Sequence, residues 1–133
     1  MKVFARLFLF IALLFGSSVY AQPNGYDVFV NISKYITKGD AEKLSAWFDD
    51  NLETSVLAAS SNSSKNQAKQ IMKTFFENYT PRSFDIIHTA GKAERKYALG
   101  TLNAGGETFM VTIFVSYKED GFKIQQLKIE RVE

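Results

Sequence analysis

The chain has 133 residues, with 16 Lys and Arg against 14 Asp and Glu, one His and no Cys. The absence of Cys excludes disulfides, Cys-ligated zinc and a thiol nucleophile. The net charge of +2 and the even mixture of acidic and basic residues provide no long basic stripe, which argues against nucleic-acid binding.

The first 21 residues have the pattern of a cleavable export signal. Lys2 and Arg6 form a basic start, residues 7–15 an uninterrupted apolar run, and Ala21 ends a small-residue cleavage site. We therefore expect a signal peptide over residues 1–21 and a single mature domain over residues 22–133, in the periplasm or secreted. The apolar run is shorter than the about 20 residues of a membrane helix, so we expect no membrane span in the mature protein.

Removal of the leader also changes the charge balance. Lys2 and Arg6 account for the excess of basic residues, and without them 14 basic residues remain against 14 acidic ones. The mature domain is therefore expected to be neutral. An exported domain operates away from cytosolic ATP and NAD, so we expect no cofactor.

The first half of the mature chain predicts two helices, a strand and a loop. Apolar residues at three- and four-residue steps predict a helix from Tyr26 to Thr37. Asp40 is placed to cap a second, shorter helix, which Asp49-Asp50-Asn51 is expected to end. The segment from Leu52 to Ala58 predicts a strand, and the Ser- and Asn-rich segment from Ser60 to Ser64 predicts a polar loop.

The second half predicts a long helix followed by four strands. Ser64 and Gln67 have the spacing of a capping box, and Pro81 closes the helix that follows. After Pro81 the apolar period changes from about 3.6 to 2, which indicates strands. Hairpin turns are expected at Gly91, Gly105-Gly106 and Asp120-Gly121. The pair Gln125-Gln126 interrupts the alternation of the last strand and predicts a bulge.

The predicted order of elements is α-α-β-α-β-β-β-β. Helices followed by an antiparallel meander indicate an α+β domain in which three N-terminal helices pack on one face of a sheet. No internal repeat, linker or second domain is visible in the pattern.

The segment Gly39-Asp40-Ala41-Glu42-Lys43-Leu44 resembles the turn between the first two helices of the nuclear transport factor two-like superfamily, whose fold is also called cystatin-like. The resemblance covers nearly all of Tyr26 to Glu133. Within that superfamily, residues 97–102 and 121–130 resemble the small exported bacterial proteins of the domain of unknown function 4783 family. The resemblance implies a curved, mainly antiparallel sheet that wraps the long helix and leaves a conical pocket. It implies no known activity.

Two functions remain open for such a pocket. The favoured one is a non-enzymatic binding or interaction domain for a small apolar ligand, a peptide or an envelope protein. The expected lining of its pocket is Phe48, Phe75, Tyr79, Tyr97, Val111 and Ile113. If Trp47, Phe75 and Phe76 instead fill the pocket, the small-molecule interpretations fail and partner binding remains.

The alternative is an acid-base enzyme of the lyase, isomerase or hydrolase type, with His88 and Tyr97 as catalytic residues. The two-residue period of a strand places His88 on one face with Phe84 and Ile86, and Asp85 on the other face. Asp85 would then be unable to orient His88, which makes the enzyme the less favoured function. With one His, no Cys and no carboxylate cluster of ligating spacing, no metal site is expected.

A dimer interface is expected on the outer face of the predicted sheet. Met110, Thr112 and Phe114 alternate with the regular core positions of their strand, and Ala98 and Gly100 are assigned to the same outer face. A half-apolar face on a central hairpin is costly to leave in water. We therefore expect a homodimer that buries this face.

The leader predicts a defined N-terminus. When the full chain is expressed in a bacterium, we expect the exported protein to begin at Gln22, as determined by intact mass and N-terminal sequencing of the periplasmic fraction. The Ala21→Leu variant removes the small residue that signal peptidase accepts and should retain the leader. A wild-type protein that begins at Met1 would contradict this assignment.

Overall fold

The structure is a computed structural model that describes residues 27–119 and 121–132. The predicted signal peptide lies outside these residues. The described elements, in chain order, are α1 Val28–Lys38, α2 Ala41–Ser45, β1 Phe48–Val56, β2 Ala59–Ser64, α3 Lys65–Asn78, β3 Pro81–Gly91, β4 Arg95–Ala104, β5 Glu107–Lys118 and β6 Gly121–Arg131.

The helix ends follow the signals in the sequence. Gly39 ends α1 in the left-handed conformation, with φ of 66°, and its N–H donates to the carbonyls of the last turn. The Asp40 carboxylate accepts a hydrogen bond of 3.0 Å from the Lys43 N–H and caps α2. Ser64 and Gln67 form the expected capping box at the start of α3. These predictions are confirmed.

The strands form one six-stranded sheet in the order β2-β1-β6-β5-β4-β3. The β1–β6 pair is parallel and the other pairs are antiparallel, which confirms the mainly antiparallel α+β fold. The core lies between the helices and one face of this sheet. Its largest fully buried side chains are Phe29, Phe48, Phe109, Ile32, Ile36, Leu44, Met72, Leu102, Ile113, Ile124, Leu127 and Ile129.

The region between α2 and α3 differs from the prediction. The chain enters β1 already at Phe48, so that Asp49 and Asp50 lie in a strand instead of at a helix end. The predicted polar loop is β2, which pairs with β1 without a register shift. Leu57 and Ala58 both have positive φ and form the two-residue turn between the strands. The order of elements is therefore α-α-β-β-α-β-β-β-β.

Hydroxyl pairing explains how a Ser-rich segment forms a strand. The hydroxyls of Thr54 and Ser63 lie 2.9 Å apart across the β1–β2 pair. Both residues are buried, at 1% and 3% exposure. One of these hydroxyls donates to the other, and the Ser61 hydroxyl, 3.1 Å from Ser63 Oγ, extends the network. The hairpin therefore buries polar groups without the cost of an unpaired donor. Apolar alternation, the usual signal of a strand, is not needed at this edge.

Of the register shifts in the described sheet, one bulge in β6 and one in β3 decide which side chains share a face near the candidate site. In β6 the pairing shifts between Ile124 and Gln126, as the sequence predicted. In β3 the pairing shifts between Ile86 and His88, which the sequence pattern did not indicate. One extra residue in a strand moves every later side chain to the opposite face.

The close approach of Phe84 to Gly100 generates a stability prediction. A Cβ at Gly100 would lie 2.6 Å from the Phe84 ring and 3.0 Å from the Asp85 carbonyl oxygen. We expect Gly100→Ala to lower the free energy of unfolding by about 1–3 kcal/mol through overpacking, as measured by urea denaturation.

The matched control for this substitution is Gly121→Ala, because no atom lies within 4 Å of a Cβ added at Gly121. If Gly100→Ala is as stable as Gly121→Ala, the Phe84 ring does not pack closely over Gly100 and the prediction is wrong.

Candidate functional site

The β3 bulge places His88 on the outer face of the sheet, away from the helices. Phe84 pairs with Leu102 and is buried in the core, but His88 pairs with Leu99 and is exposed. The prediction that His88 shares a face with Phe84 and Ile86 is therefore wrong. Asp85, which pairs with Thr101, lies on the same outer face as His88, and the prediction of opposite faces is corrected as well.

Three neighbouring cross-strand pairs form the middle of the outer face of β4 and β5. Tyr97 pairs with Phe114, Leu99 with Thr112, and Thr101 with Met110. The Tyr97 and Phe114 rings stack at 5.3 Å between centroids, and the His88 ring meets the Tyr97 ring edge-on at 5.8 Å. We call the surface formed by six of these side chains the outer patch. It consists of His88, Tyr97, Leu99, Met110, Thr112 and Phe114.

Two residues expected in the dimer interface lie in the core instead. Ala98 pairs with Ile113 and Gly100 with Val111, and Ala98 has an exposure of 0%. Their predicted outer position is wrong, whereas Met110, Thr112 and Phe114 do lie on the outer face.

The register needed for the correct assignment was present in the sequence. A two-residue turn at Gly105-Gly106 pairs Ala104 with Glu107, and counting back from that pair aligns Tyr97 with Phe114. Leu99 and Tyr97, which sequence reasoning left out of the outer face, follow from the same count.

The structure does not bring the six predicted pocket residues together. Phe48, Val111 and Ile113 are at most 1% exposed and fill the core. Phe75 and Tyr79 lie on α3 and at its end, where they form a three-ring cluster with Phe109 at centroid distances of 5.1–5.2 Å. Tyr97 lies on the opposite face of the sheet.

Aromatic side chains also occupy the region where a conical pocket was expected. Phe75 and Phe76 are 3% and 6% exposed, and Trp47 packs against the same core. The interior between helices and sheet is therefore filled at these positions by side chains.

An open groove lies at the edge of this packed interior, between the β1–β2 hairpin and α3. Its volume is about 500 Å³, within the range of about 300–1,000 Å³ typical of ligand sites. We call it the hairpin groove. Its lining is Val56, Leu57, Ala59, Ser60, Ser61, Gln70, Ile71, Thr74, Phe75, Asn78 and Tyr79. None of these side chains carries a charge at neutral pH.

A cation lies beside the three-ring cluster. The Arg131 guanidinium donates to the Glu107 carboxylate at 2.7 Å and to the Tyr79 hydroxyl at 2.6 Å. Its carbon lies 5.6 Å from the centre of the Tyr79 ring and 5.9 Å from that of Phe109. Arg131 thus anchors the aromatic cluster to the β5–β6 end of the sheet, and its charge is paired with Glu107.

A charged hollow of about 170 Å³ lies where β1, β5 and β6 meet, lined by Asp49, Lys118 and neighbouring residues. The Asp49 carboxylate accepts hydrogen bonds from Lys118 at 3.0 Å, from the Gln125 side chain at 2.9 Å and from the Asp50 N–H at 2.8 Å. Partial burial raises the pKa of Asp49, but these bonds together outweigh it and hold the pKa below its ordinary value. Asp49 is therefore an ionised anchor between strands.

Within residues 27–119 and 121–132, no three His, Cys, Asp or Glu side chains form a group that could hold a metal ion. In the same part of the chain, none of the helices is long and apolar enough to cross a bilayer.

The family follows from the match of the chain to a known family model. Residues 29–130 match the family described as Domain of unknown function (DUF4783). The protein belongs to this family. No curated protein matches the chain in sequence.

Solved structures share the fold of this DUF4783 member. A DUF4783 protein from Bacteroides uniformis is 21% identical, with 77% of this chain and 95% of that one covered and a TM-score of 0.75. One from Bacteroides ovatus is 22% identical, with 84% and 96% covered and a TM-score of 0.72. A cystatin-like domain of unknown function from Nostoc punctiforme is 9% identical, with 84% and 80% covered and a TM-score of 0.67.

These likenesses, together with further neighbours named as nuclear transport factor two-like, establish the fold. The expected resemblance to this superfamily is confirmed. At these sequence identities the comparisons establish the fold but not a function, since one fold hosts many unrelated functions.

The Asp49 anchor predicts how stability depends on pH. A carboxyl whose pKa is lowered by folding stabilises the native state above its ordinary pKa of 3.8, and this contribution disappears as the pH falls through the lowered value. We expect Asp49→Asn to be less stable than the wild type by about 1 kcal/mol at pH 7, a modest value because the Lys118 end is screened by solvent. In urea denaturation the difference should shrink progressively as the pH is lowered below 3.8.

Asp50→Asn serves as the control, since Asp50 is the exposed neighbour of Asp49 in the same strand. A stability difference for Asp49→Asn that persists undiminished at low pH would contradict the anchoring role.

Proposed function

We propose that this protein is a non-enzymatic interaction domain that pairs with a second copy of itself through the outer patch. The observation that carries the proposal is a cluster of apolar side chains on β4 and β5 that are exposed or only half-buried on the outer face of the sheet. Phe114 is 41% exposed although it stacks on Tyr97, and Leu99, Met110 and Thr112 are only half-buried. Contiguous apolar surface on a central sheet face is typical of protein interfaces.

Charge favours a second copy as the occupant of this patch. No side chain of the outer patch carries a formal charge when His88 is neutral. Lys128 and Glu130, which pair with Thr112 and Met110 at the border of the patch, form an ion pair with each other at 3.0 Å, so two patches meet with little like-charge repulsion. The mature domain as a whole has equal numbers of basic and acidic residues, and no net repulsion opposes association of two copies. A two-fold axis would let the same patch serve both partners.

The enzyme alternative has less support from the geometry. His88 and Tyr97 lie close together, but on an open sheet face and not in a cavity that would exclude water. General acid-base catalysis relies on groups held in such a site, where the positions and pKa values of both are controlled. The filled interior likewise provides little support for a small molecule bound deep within the cone.

We also propose that this domain acts outside the cytosol, in the periplasm or as a secreted protein. The leader pattern of residues 1–21 supports export. The chain contains no Cys, so it has no thiol that an oxidising compartment would affect. Two copies of the mature protein would then associate after the leader has been cleaved.

The dimer is tested by sedimentation equilibrium of residues 22–133. We expect the wild type to sediment as a dimer and Phe114→Asp to weaken the dimer by about 100-fold, or about 2.7 kcal/mol, because the substitution buries an unpaired charge. Val30→Asp is the matched control, since Val30 is 67% exposed on α1, outside the patch.

Two results would overturn the proposal. One is a wild-type protein that remains monomeric at high concentration. The other is a Phe114→Asp variant that dimerises as tightly as Val30→Asp while retaining the native circular dichroism spectrum.

A further inference from the structure

The outer edge of β2 has backbone groups that no described strand pairs. β2 lies at the end of the sheet and pairs only with β1 among the described strands. The two-residue turn makes Val56 and Ala59 a hydrogen-bonded pair, and in an antiparallel ladder the bonded pairs then alternate. Ala59, Ser61 and Ser63 therefore direct their N–H and C=O groups at β1. Ser60 and Asn62 direct theirs away from it.

Ser64, the next alternate residue after Ser60 and Asn62, also directs its backbone groups away from β1. Its N–H donates to the Gln67 side chain of the capping box at 2.9 Å. Gln67 therefore closes the free edge at one end. The open stretch comprises the backbone donors and acceptors of Ser60 and Asn62.

The two edges of the sheet differ in their protection against additional strands. Natural edge strands are blunted by Pro, charged residues or bulges. The edge strand β3 begins with Pro81, carries Asp85 and contains the bulge at Ile86 to His88. β2 has the sequence ASSNSS, with no Pro and no charge, and keeps an unbroken register. The β2 edge is the one able to accept another strand.

The hairpin groove lies along this unprotected edge. Ser60 and Ser61 of β2 form one side of the groove, and Ile71, Thr74 and Phe75 of α3 lie on the other. A strand bonded to Ser60 and Asn62 would direct every second side chain to the core side of the sheet. That side faces Ile71 and Phe75. The backbone of this added strand would form hydrogen bonds with the free backbone groups of β2, and its side chains would fill the hairpin groove.

We propose that β2 and the hairpin groove bind a short extended peptide of another protein, with uncharged apolar residues at alternate positions. Backbone bonding supplies affinity and the groove selects the side chains, as in other cases of strand addition. The uncharged lining excludes charged side chains from the groove, since they would be desolvated without a partner. This site lies on a different surface from the outer patch and does not depend on the dimer.

The test is an NMR titration of ¹⁵N-labelled residues 22–133. The probe is a pool of capped hexapeptides Thr-X-Thr-X-Thr-X, in which X is Val, Ile, Leu or Phe. The control pool is N-methylated at each Thr, which removes the N–H groups that a peptide paired antiparallel to β2 would donate to it and leaves the groove side chains unchanged. We expect shifts of the Ser60 and Asn62 amides with the first pool, and affinity weaker by at least about tenfold with the second.

Substitutions inside and outside the hairpin groove test whether the peptide binds there. Thr74→Glu places a charge at an exposed position of α3 that lines the groove, and should weaken binding by at least about tenfold. Lys73→Glu is the matched control on the adjacent exposed residue, which lines a different hollow with Asp40 and Glu42, and should bind as the wild type does. Phe114→Asp should also bind normally, whatever the state of the dimer.

The proposal is overturned by any of three outcomes. The first is the absence of any shift of the Ser60 and Asn62 amide signals when the unmethylated pool is added at millimolar concentration. The second is equal binding of the two pools. The third is concentration-dependent protection of the β2 amides from hydrogen exchange without peptide, because a second copy of the chain would then occupy the edge.

Discussion

The register in which β3, β4 and β5 pair determines which of their side chains face the core and which form the outer patch. With Tyr97 opposite Phe114 and Ala98 opposite Ile113, one set of side chains packs on the helices and the other faces outward. A slip of one residue would exchange the two sets, burying Tyr97 and exposing Ala98. The two-residue turn at Gly105-Gly106 sets this register, and the overlap of Phe84 on Gly100 fits it to the neighbouring strand.

A filled interior follows from this register and moves the candidate functions to the surface. Val111 and Ile113 belong to the same buried core as Phe48 and the aromatic residues of α3. Two surfaces remain that differ in physical character. The outer patch presents apolar side chains on a sheet face, whereas the hairpin groove combines apolar side chains with unpaired backbone groups. The first suits another folded surface and the second an extended chain.

The elements that were predicted correctly depend on local interactions. The Asp40 cap, the Ser64–Gln67 capping box and the glycine turn at Gly105 each involve residues within a few positions of one another, so that the sequence pattern contains them completely. The family resemblance led to the correct fold for a similar reason, since it was carried by such turns and by strand periodicity. The site was predicted less well. Met110, Thr112 and Phe114 were placed on the correct face, whereas Ala98, Gly100 and His88 were not.

The sequence by itself determined the helices, the hairpins that follow Pro81 and the α+β class of this DUF4783 domain, because propensity, capping and apolar period act over short distances. Only the tertiary structure decided that residues 59–64 form a strand and that the β3 bulge places His88 outside the core. Both depend on partners distant in sequence. Ser63 can be buried because its hydroxyl forms a hydrogen bond with the hydroxyl of Thr54 in β1, and the bulge arises where β3 must fit the register of β4. Which backbone groups remain unpaired at a sheet edge is likewise a property of the assembled sheet.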